Sequence, residues 1–175
     1  MMDKLKNTQE GEIKVSVAGL EDLEAYKDIR IEALTVNPEA FGGTLEEALS
    51  KTDEYWKDRL QRQDLFIVLA KTDATPKGAQ SITGAREREE EKGIWKIIAV
   101  YTRPEFRGRG LQQRVLQMVL EEIKRRGGIK AALNVTARPE QEAARGVYQK
   151  LGFREVKRAI EEGEEVIKME LELTR

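Results

Sequence analysis

The sequence predicts an α/β (α+β) domain: a mixed, mostly antiparallel central sheet flanked by helices. Three observations carry this expectation. Apolar runs at residues 65–70 (LFIVLA), 79–86 and 94–102 follow one another through turn-type or charged connections, as a meander of antiparallel strands does. The third run passes through a glycine-bearing loop into an amphipathic helix and then a strand at 130–135, the strand–helix–strand unit that makes a sheet mixed. A helix at 141–151 then leads to strands at 153–156 and 166–173, joined through a turn at Gly163.

The elements are justified in order. Ile13, Val15 and Val17 alternate with polar residues and predict a first strand. Leu23, Tyr26, Ile29 and Ala33/Leu34 recur at helical spacing across residues 20–34. Asn37-Pro38 and Gly42-Gly43 break the chain, Thr44 with Glu47 forms a capping box for a short helix, and Asp53 is a candidate cap for another containing Tyr55, Trp56 and Leu60. Residues 73–78 are turn-type, and the charged run 87–93 reads as an exposed hairpin connection. In the long helix Leu111, Val115, Met118/Val119 and Ile123 share one face, and Gly127-Gly128 end it. Gly152 stops the last helix. The predicted order is β-α-α-β-β-β-α-β-α-β-β, with no repeats and no linker. It forms one domain over residues 12–175 behind a polar N-terminal extension, residues 1–11.

Composition narrows the chemistry. With Lys+Arg 31 against Asp+Glu 32 the net charge is −1, so bulk electrostatics favour neither nucleic acid nor a membrane surface as partner. The chain has no Cys and no His. Disulfides, Cys nucleophiles, His bases and the usual zinc sites are therefore excluded, and no metal is expected. Acid–base work must fall to Glu, Asp, Tyr, Lys, backbone or water. The N-terminus is polar, and no apolar run approaches the roughly 18 residues of a membrane span, so a cytoplasmic protein is expected.

The stretch Arg107-Gly108-Arg109-Gly110-Leu111-Gln112 stands between a strand and the long helix. A glycine loop opening a helix exposes unpaired N–H groups at the positive end of the helix dipole, which suits a phosphate. No Gly-Lys-Ser/Thr follows, which excludes a P-loop; a third glycine and an opening βαβ unit are missing, which excludes a Rossmann fingerprint.

Residues 100–111, VYTRPEFRGRGL, are similar to the strand-then-"PE-aromatic-RG-x-G" signature of the GNAT superfamily, the Gcn5-related N-acetyltransferases. A second segment, residues 143–153 (AARGVYQKLGF), resembles the family's "AxxxYxxxGF" helix-to-strand motif, and the element order agrees from Ile13 to Leu173. The resemblance implies the GNAT, or acyl-CoA N-acyltransferase, fold with acetyl-CoA as co-substrate. Backbone N–H groups of Arg107, Gly108, Arg109, Gly110, Leu111, Gln112 and Gln113 would cradle the coenzyme pyrophosphate, with charge added by Arg107 and Arg109. Side chains at Gly108 or Gly110 would obstruct that approach or forbid the turn. Val100, Tyr101 and Thr102 would hydrogen-bond the pantetheine arm as an added strand; the Tyr101 side chain itself reads as a core or rim aromatic. Tyr148 matches the tyrosine that hydrogen-bonds the coenzyme sulfur and protonates the leaving thiolate. Proton transfer from a phenol near ~10 to a thiolate near ~8.5 costs about 2 kcal/mol, small beside a catalysed barrier.

Two positions depart from the family. Gln112 replaces the usual Gly or Ala, so its side chain must point away from the phosphates, and Gln141 stands where relatives commonly carry an Asn that holds the coenzyme arm. On the acceptor side the strand 94–102 carries no carboxylate. Phe41-Gly42-Gly43-Thr44-Leu45-Glu46-Glu47 resembles a "FGSxYEEE" segment of small-molecule GNATs. That makes Glu46 the candidate for amine binding or deprotonation, with Glu32 as the other. The expected activity is direct acetyl transfer to a primary amine of a small molecule or peptide, without a covalent enzyme intermediate and with a strand N–H stabilising the oxyanion. The alternative is a GNAT-fold module that binds acyl-CoA as a sensor without turnover. The superfamily commonly forms dimers, so a homodimer is an accompanying expectation.

Overall fold

The computed structural model describes residues 12–38, 41–72 and 78–174. The polar extension and most of the predicted turn at 73–78 lie outside the described residues. Among the described residues seven strands form one sheet in the order β1-β2-β3-β4-β5-β7-β6. They are β1 (Lys14–Val17), β2 (Leu65–Lys71), β3 (Ala79–Glu87), β4 (Ile94–Thr102), β5 (Lys130–Thr136), β6 (Arg154–Glu161) and β7 (Glu164–Glu172). The helices are α1 (Leu23–Val36), α2 (Leu45–Ser50), α3 (Asp53–Gln61), α4 (Leu111–Arg125) and α5 (Glu142–Lys150). Every neighbouring pair is antiparallel except β4–β5, the pair joined by the crossover through α4.

β2 reads as a continuous apolar run because both of its faces are covered. Phe66, Val68 and Ala70 belong to a core built with Leu111, Val115, Leu116, Val119 and Ile123 of α4, while Ile67 and Leu69 belong to a second core with Tyr26, Ile29, Ala33 and Trp56 of α1 and α3. Ile82 of β3 and Tyr101 of β4, paired in register, lie in that second core. Helices α1 and α3 therefore pack against the face of the meander opposite α4.

Several boundaries differ from the sequence reading. The three helices read from the sequence ahead of β2 all form, one more than the predicted element order counts. The first begins as a 3-10 turn at Leu20–Asp22, where the Asp22 carboxylate accepts from Gly19 N–H and pairs with Lys71. The capping box of α2 forms as expected: Thr44 Oγ1 accepts from Glu47 N–H at 3.1 Å, and Glu47 Oε2 from Thr44 N–H at 3.1 Å. Asp53 is not a cap. Thr52 occupies that place without a side-chain bond, and Asp53 instead accepts from Lys27 Nζ of α1 at 2.6 Å, which holds its carboxyl below the usual range. β6 runs on past residue 156, because the turn to β7 has only two central residues, Glu162 (φ 51°) and Gly163 (φ 82°). This is the positive-φ geometry that matches the twist of a tight hairpin. Among the described residues no helix is long and apolar enough to cross a membrane.

Candidate functional site

The sheet opens in its middle. β4 and β5 pair only over Ile94–Lys130, Trp95–Ala131 and Lys96–Ala132, and then separate. At the point of separation β4 carries a bulge: β3 pairs Gly84 with Ile98 and Ile82 with Tyr101, so that Ala99 and Val100 stand against Thr83 alone. Ala99 takes φ 55°, a conformation rare for a residue with a Cβ, which turns the strand at that residue. The β5-facing edge of β4 beyond Lys96 is thus left without a strand partner. Val100, Tyr101 and Thr102 line the resulting cleft, about 1110 Å³ in volume, and Leu133, Asn134 and Val135 of β5 line it too. An extended molecule carrying amide groups fits such a gap by adding as a strand.

The glycine loop closes one end of this cleft. Pro104–Phe106 forms a 3-10 turn in which Phe106 N–H and Arg107 N–H donate to Arg103 O and Pro104 O. The Arg107 N–H is therefore spent within the turn. The N–H groups of Gly108, Gly110, Leu111, Gln112 and Gln113 have no partner among the described residues. Gly110 is the N-cap of α4 at φ 72°, Gly108 lies at φ 75°, and nothing stands within 4 Å of where a Cβ would project from either. Both glycines are thus required by backbone conformation, and the space over them is open. Free N–H groups at the start of a fifteen-residue helix make an anion site. The two arginines divide in use. Arg107 donates from Nε to Thr102 O at 3.0 Å with its guanidinium over the Tyr101 ring, and lines the cleft; Arg109 stands over Phe106 and does not.

Gln112 turns its side chain back into the sheet. Its Oε1 accepts from Thr102 Oγ1 at 2.8 Å, its Nε2 donates to Thr83 Oγ1 at 3.0 Å, and Ser81 Oγ lies 2.9 Å from Thr102 Oγ1. Ser81, Thr83 and Thr102 are buried, so the amide completes a polar cluster under the bulge. The long side chain leaves the loop backbone clear.

On the opposite wall, Tyr148 of α5 is 5% exposed and packs edge-on to Phe153. Burial alone pushes its hydroxyl up to about 12, and no hydrogen bond reaches it from the described residues. Gln141, the N-cap of α5, lines the same cleft. Val100, Tyr101, Thr102, Arg107, Gly108, Gly110, Leu111, Gln112, Gln113, Gln141 and Tyr148 therefore share one wall system; among the expected coenzyme contacts only Arg109 stands apart.

The cleft continues onto the face covered by α1, α2 and α3. Phe41 meets Tyr101 edge-on at 6.1 Å, and Tyr26, Tyr55 and Trp56 form an aromatic wall. Glu46 points away, exposed on the first turn of α2, whereas Glu47 lines the cleft. Glu32 lies off the lining: Tyr101 Oη donates to its Oε2 at 3.0 Å, and the buried Arg103 donates to its Oε1. Arg103 also donates to Ala79 O and Asp28, tying α1 to the end of β4. Burial and the Glu32 carboxylate push Tyr101 up to about 12.

The match that decides the family is to the Acetyltransferase (GNAT) family, over residues 23–153. This chain belongs to it. No curated protein matches the sequence significantly. Among solved structures, an N-acetyltransferase from Staphylococcus aureus Mu50 superposes with TM-score 0.73 at 19% identity, covering 94% of this chain and 100% of that one. The yncA putative acetyltransferase from Salmonella typhimurium, solved with its cofactor acetyl-CoA, gives 0.72 at 16% identity, covering 93% and 94%. The PaiA N-acetyltransferase from Thermoplasma acidophilum in complex with coenzyme A gives 0.67 at 17% identity, covering 93% and 99%. At these identities the structures establish the GNAT fold.

Sequence reasoning missed Glu47, Asn134, and Arg30, Lys51 and Arg59 as cleft residues. Glu47 was legible only as a capping residue, and its neighbour drew the functional reading. Asn134 carried a signal of its own, a polar residue within the apolar strand 130–135. The three cations sit in separate segments with nothing local to associate them.

Proposed function

We propose that this protein is a cytoplasmic N-acetyltransferase that moves an acetyl group directly from acetyl-CoA to a primary amine. One observation carries the reading: the unpaired edge of β4, the free N–H groups at the start of α4 and the Tyr148 ring all border one continuous cleft. Bound acetyl-CoA would supply an activated thioester carbonyl. The chain's part is to hold and polarise. N–H groups of Gly108, Gly110, Leu111, Gln112 and Gln113 take the pyrophosphate, and the edge of Val100–Thr102 takes the arm. A β4 N–H at the bulge would stabilise the developing oxyanion. Tyr148 donates its proton toward the sulfur. A phenol at about 12 against an ordinary thiol near ~8.5 leaves about 5 kcal/mol uphill, but the burial that raises the phenol also raises the thiol beside it, so the real gap is smaller. Glu47 lines the cleft and Glu46 does not, which supports Glu47 as the carboxylate that receives the ammonium proton directly or through water.

Calorimetric titration of acetyl-CoA followed by thiol release over an amine panel tests this. Binding with acetyl-dependent thiol release is expected. Absence of binding refutes the reading, and binding with no turnover on any amine makes the chain an acyl-CoA-binding module.

A further inference from the structure

We infer that the amine accepted at this cleft also carries a carboxylate, held by Arg30, Arg59 and Lys51 at the end built by α1, α2 and α3. The inference rests on the acetyl-transfer reading above and names the substrate class for that site.

The first support is the charge of the lining. Arg30 comes from α1, Lys51 follows α2 and Arg59 lies on α3, while Arg86 of β3 and Lys96 of β4 stand as a register pair on the lining. Arg107 and Lys150 also line the cleft; against these seven cations the acids of the lining are Glu47 and Glu140, and Glu140 belongs to the Pro139–Gln141 turn before α5. A cleft this cationic in a chain of net charge −1 is a local concentration, not a reflection of composition.

The second support is what these cations touch. Among the described residues none of Arg30, Lys51 and Arg59 has a carboxylate partner, whereas the buried Arg103 has two. Arg30 donates from Nη2 to Gly42 O at 3.0 Å and lies over the Phe41 ring at 5.2 Å, and its buried Nη1 finds no acceptor. Arg59 donates from Nε to Tyr26 Oη at 2.9 Å, and both Arg59 and Lys51 lie over Tyr55, at 5.7 and 4.9 Å. Aromatic faces fix the cations in place without neutralising them, leaving guanidinium N–H groups for a planar anion. Burial, with the neighbouring Arg59 adding to it, pulls Arg30 below the usual guanidinium range. A partly desolvated Arg30 with no carboxylate partner among the described residues is costly, and a carboxylate in the cleft supplies the missing charge. Against the effect of burial, Tyr26 and Tyr55 hold Arg59 above the usual guanidinium range, so it stays fully cationic beside Arg30.

The same field acts on the nucleophile. Nearby positive charge favours the neutral amine over its ammonium form, which is what attack on a thioester needs. A simple cationic amine would be repelled from this end. An amine with its own carboxylate is retained.

The test compares matched acceptors: free amino acids and ω-amino acids, their decarboxylated amines and their amides, together with short peptides bearing Asp or Glu. Thiol release is measured at saturating acetyl-CoA, with acetyl-CoA affinity measured separately. The expected result is a kcat/KM about 10- to 100-fold higher for the carboxylate-bearing member of a pair, falling as salt is added. Turnover of free amino acids places the carboxylate on a small molecule, and turnover of the acidic peptides alone places it on a peptide side chain; both support the inference. Lys51→Gln, at an exposed position that tolerates change, should raise KM for the carboxylate acceptor several-fold with acetyl-CoA affinity unchanged, and Arg59→Gln more so. Equal or better turnover of the decarboxylated amines overturns the inference and leaves the acetyltransferase standing. Lost acetyl-CoA affinity in Lys51→Gln overturns it too, by assigning the cations to the coenzyme. Failure of the parent protein to bind acetyl-CoA removes the underlying reading instead.

Discussion

Replacing Tyr148 by Phe separates chemistry from packing, because the described residues give the hydroxyl no bond to lose. The ring is 5% exposed and packs edge-on against Phe153 at 6.1 Å, contacts that Phe retains. At neutral pH the variant should lie within about 0.5 kcal/mol of the parent in stability, since no protein hydrogen bond is broken. The alkaline range should differ. Burial moves the phenol from 10.0 to about 12, so the folded state holds this proton more tightly than the unfolded state. That contribution is complete below pH 10 and is lost as pH rises from 10 to 12, a difference of about 3 kcal/mol. Tyr101, also raised to about 12, contributes a second decline of the same sign. Denaturant unfolding at about pH 9 and about pH 11 should therefore show the parent losing stability and Tyr148→Phe losing roughly half as much from these two groups. In thiol-release assays kcat should fall ~100-fold or more while acetyl-CoA affinity stays within about 2-fold. Parallel loss of kcat, affinity and neutral-pH stability would refute the reasoning and leave Tyr148 a packing residue.

Three further outcomes are expected. Gly110→Val forces a β-branched residue to φ 72°, so the fold should survive with about 1–2 kcal/mol lost while acetyl-CoA affinity drops at least about 10-fold by calorimetry; unchanged affinity removes the loop from the binding site. Gln112→Ala takes away both side-chain bonds to Thr102 and Thr83, costing about 1–2 kcal/mol in denaturant unfolding, yet acetyl-CoA affinity should barely move because only the backbone N–H faces the loop. A large loss of affinity with stability intact would show that the side chain reaches the ligand. Glu47→Gln keeps a capping acceptor but cannot take a proton, so kcat/KM should fall at least about 10-fold, with a smaller effect from Glu46→Gln; the opposite order returns the role to Glu46.

Much of the fold was legible because it is encoded locally. The LFIVLA run, the helical spacing from Leu111 to Ile123 and the Thr44–Glu47 capping box all act over a few residues, and each appears where expected. Misreadings arose where a partner outside the segment decides. Asp53 is taken from its cap by Lys27 of α1, and β6 extends because β7 lies beside it, although its side chains are mostly exposed and charged. The carboxylates divide in the same way. Glu32 and Glu46 read alike as acids on helices, but one is occupied by Tyr101 and Arg103 and the other faces solvent.

The sequence by itself determined the strand and helix order, the absence of Cys and His chemistry, and a glycine loop whose positive-φ positions free a row of N–H groups for phosphate. These follow from side-chain periodicity and backbone sterics, which act within a few residues. Tertiary structure alone decided that β4 and β5 part after Lys96, that Gln112 folds beneath the Ala99 bulge, and that Arg30, Lys51 and Arg59 line one cleft with no carboxylate partner among the described residues. Such facts depend on which distant segments meet, and charge or hydrogen-bond partnership across α1, α2, α3 and the sheet leaves no periodic trace in the chain.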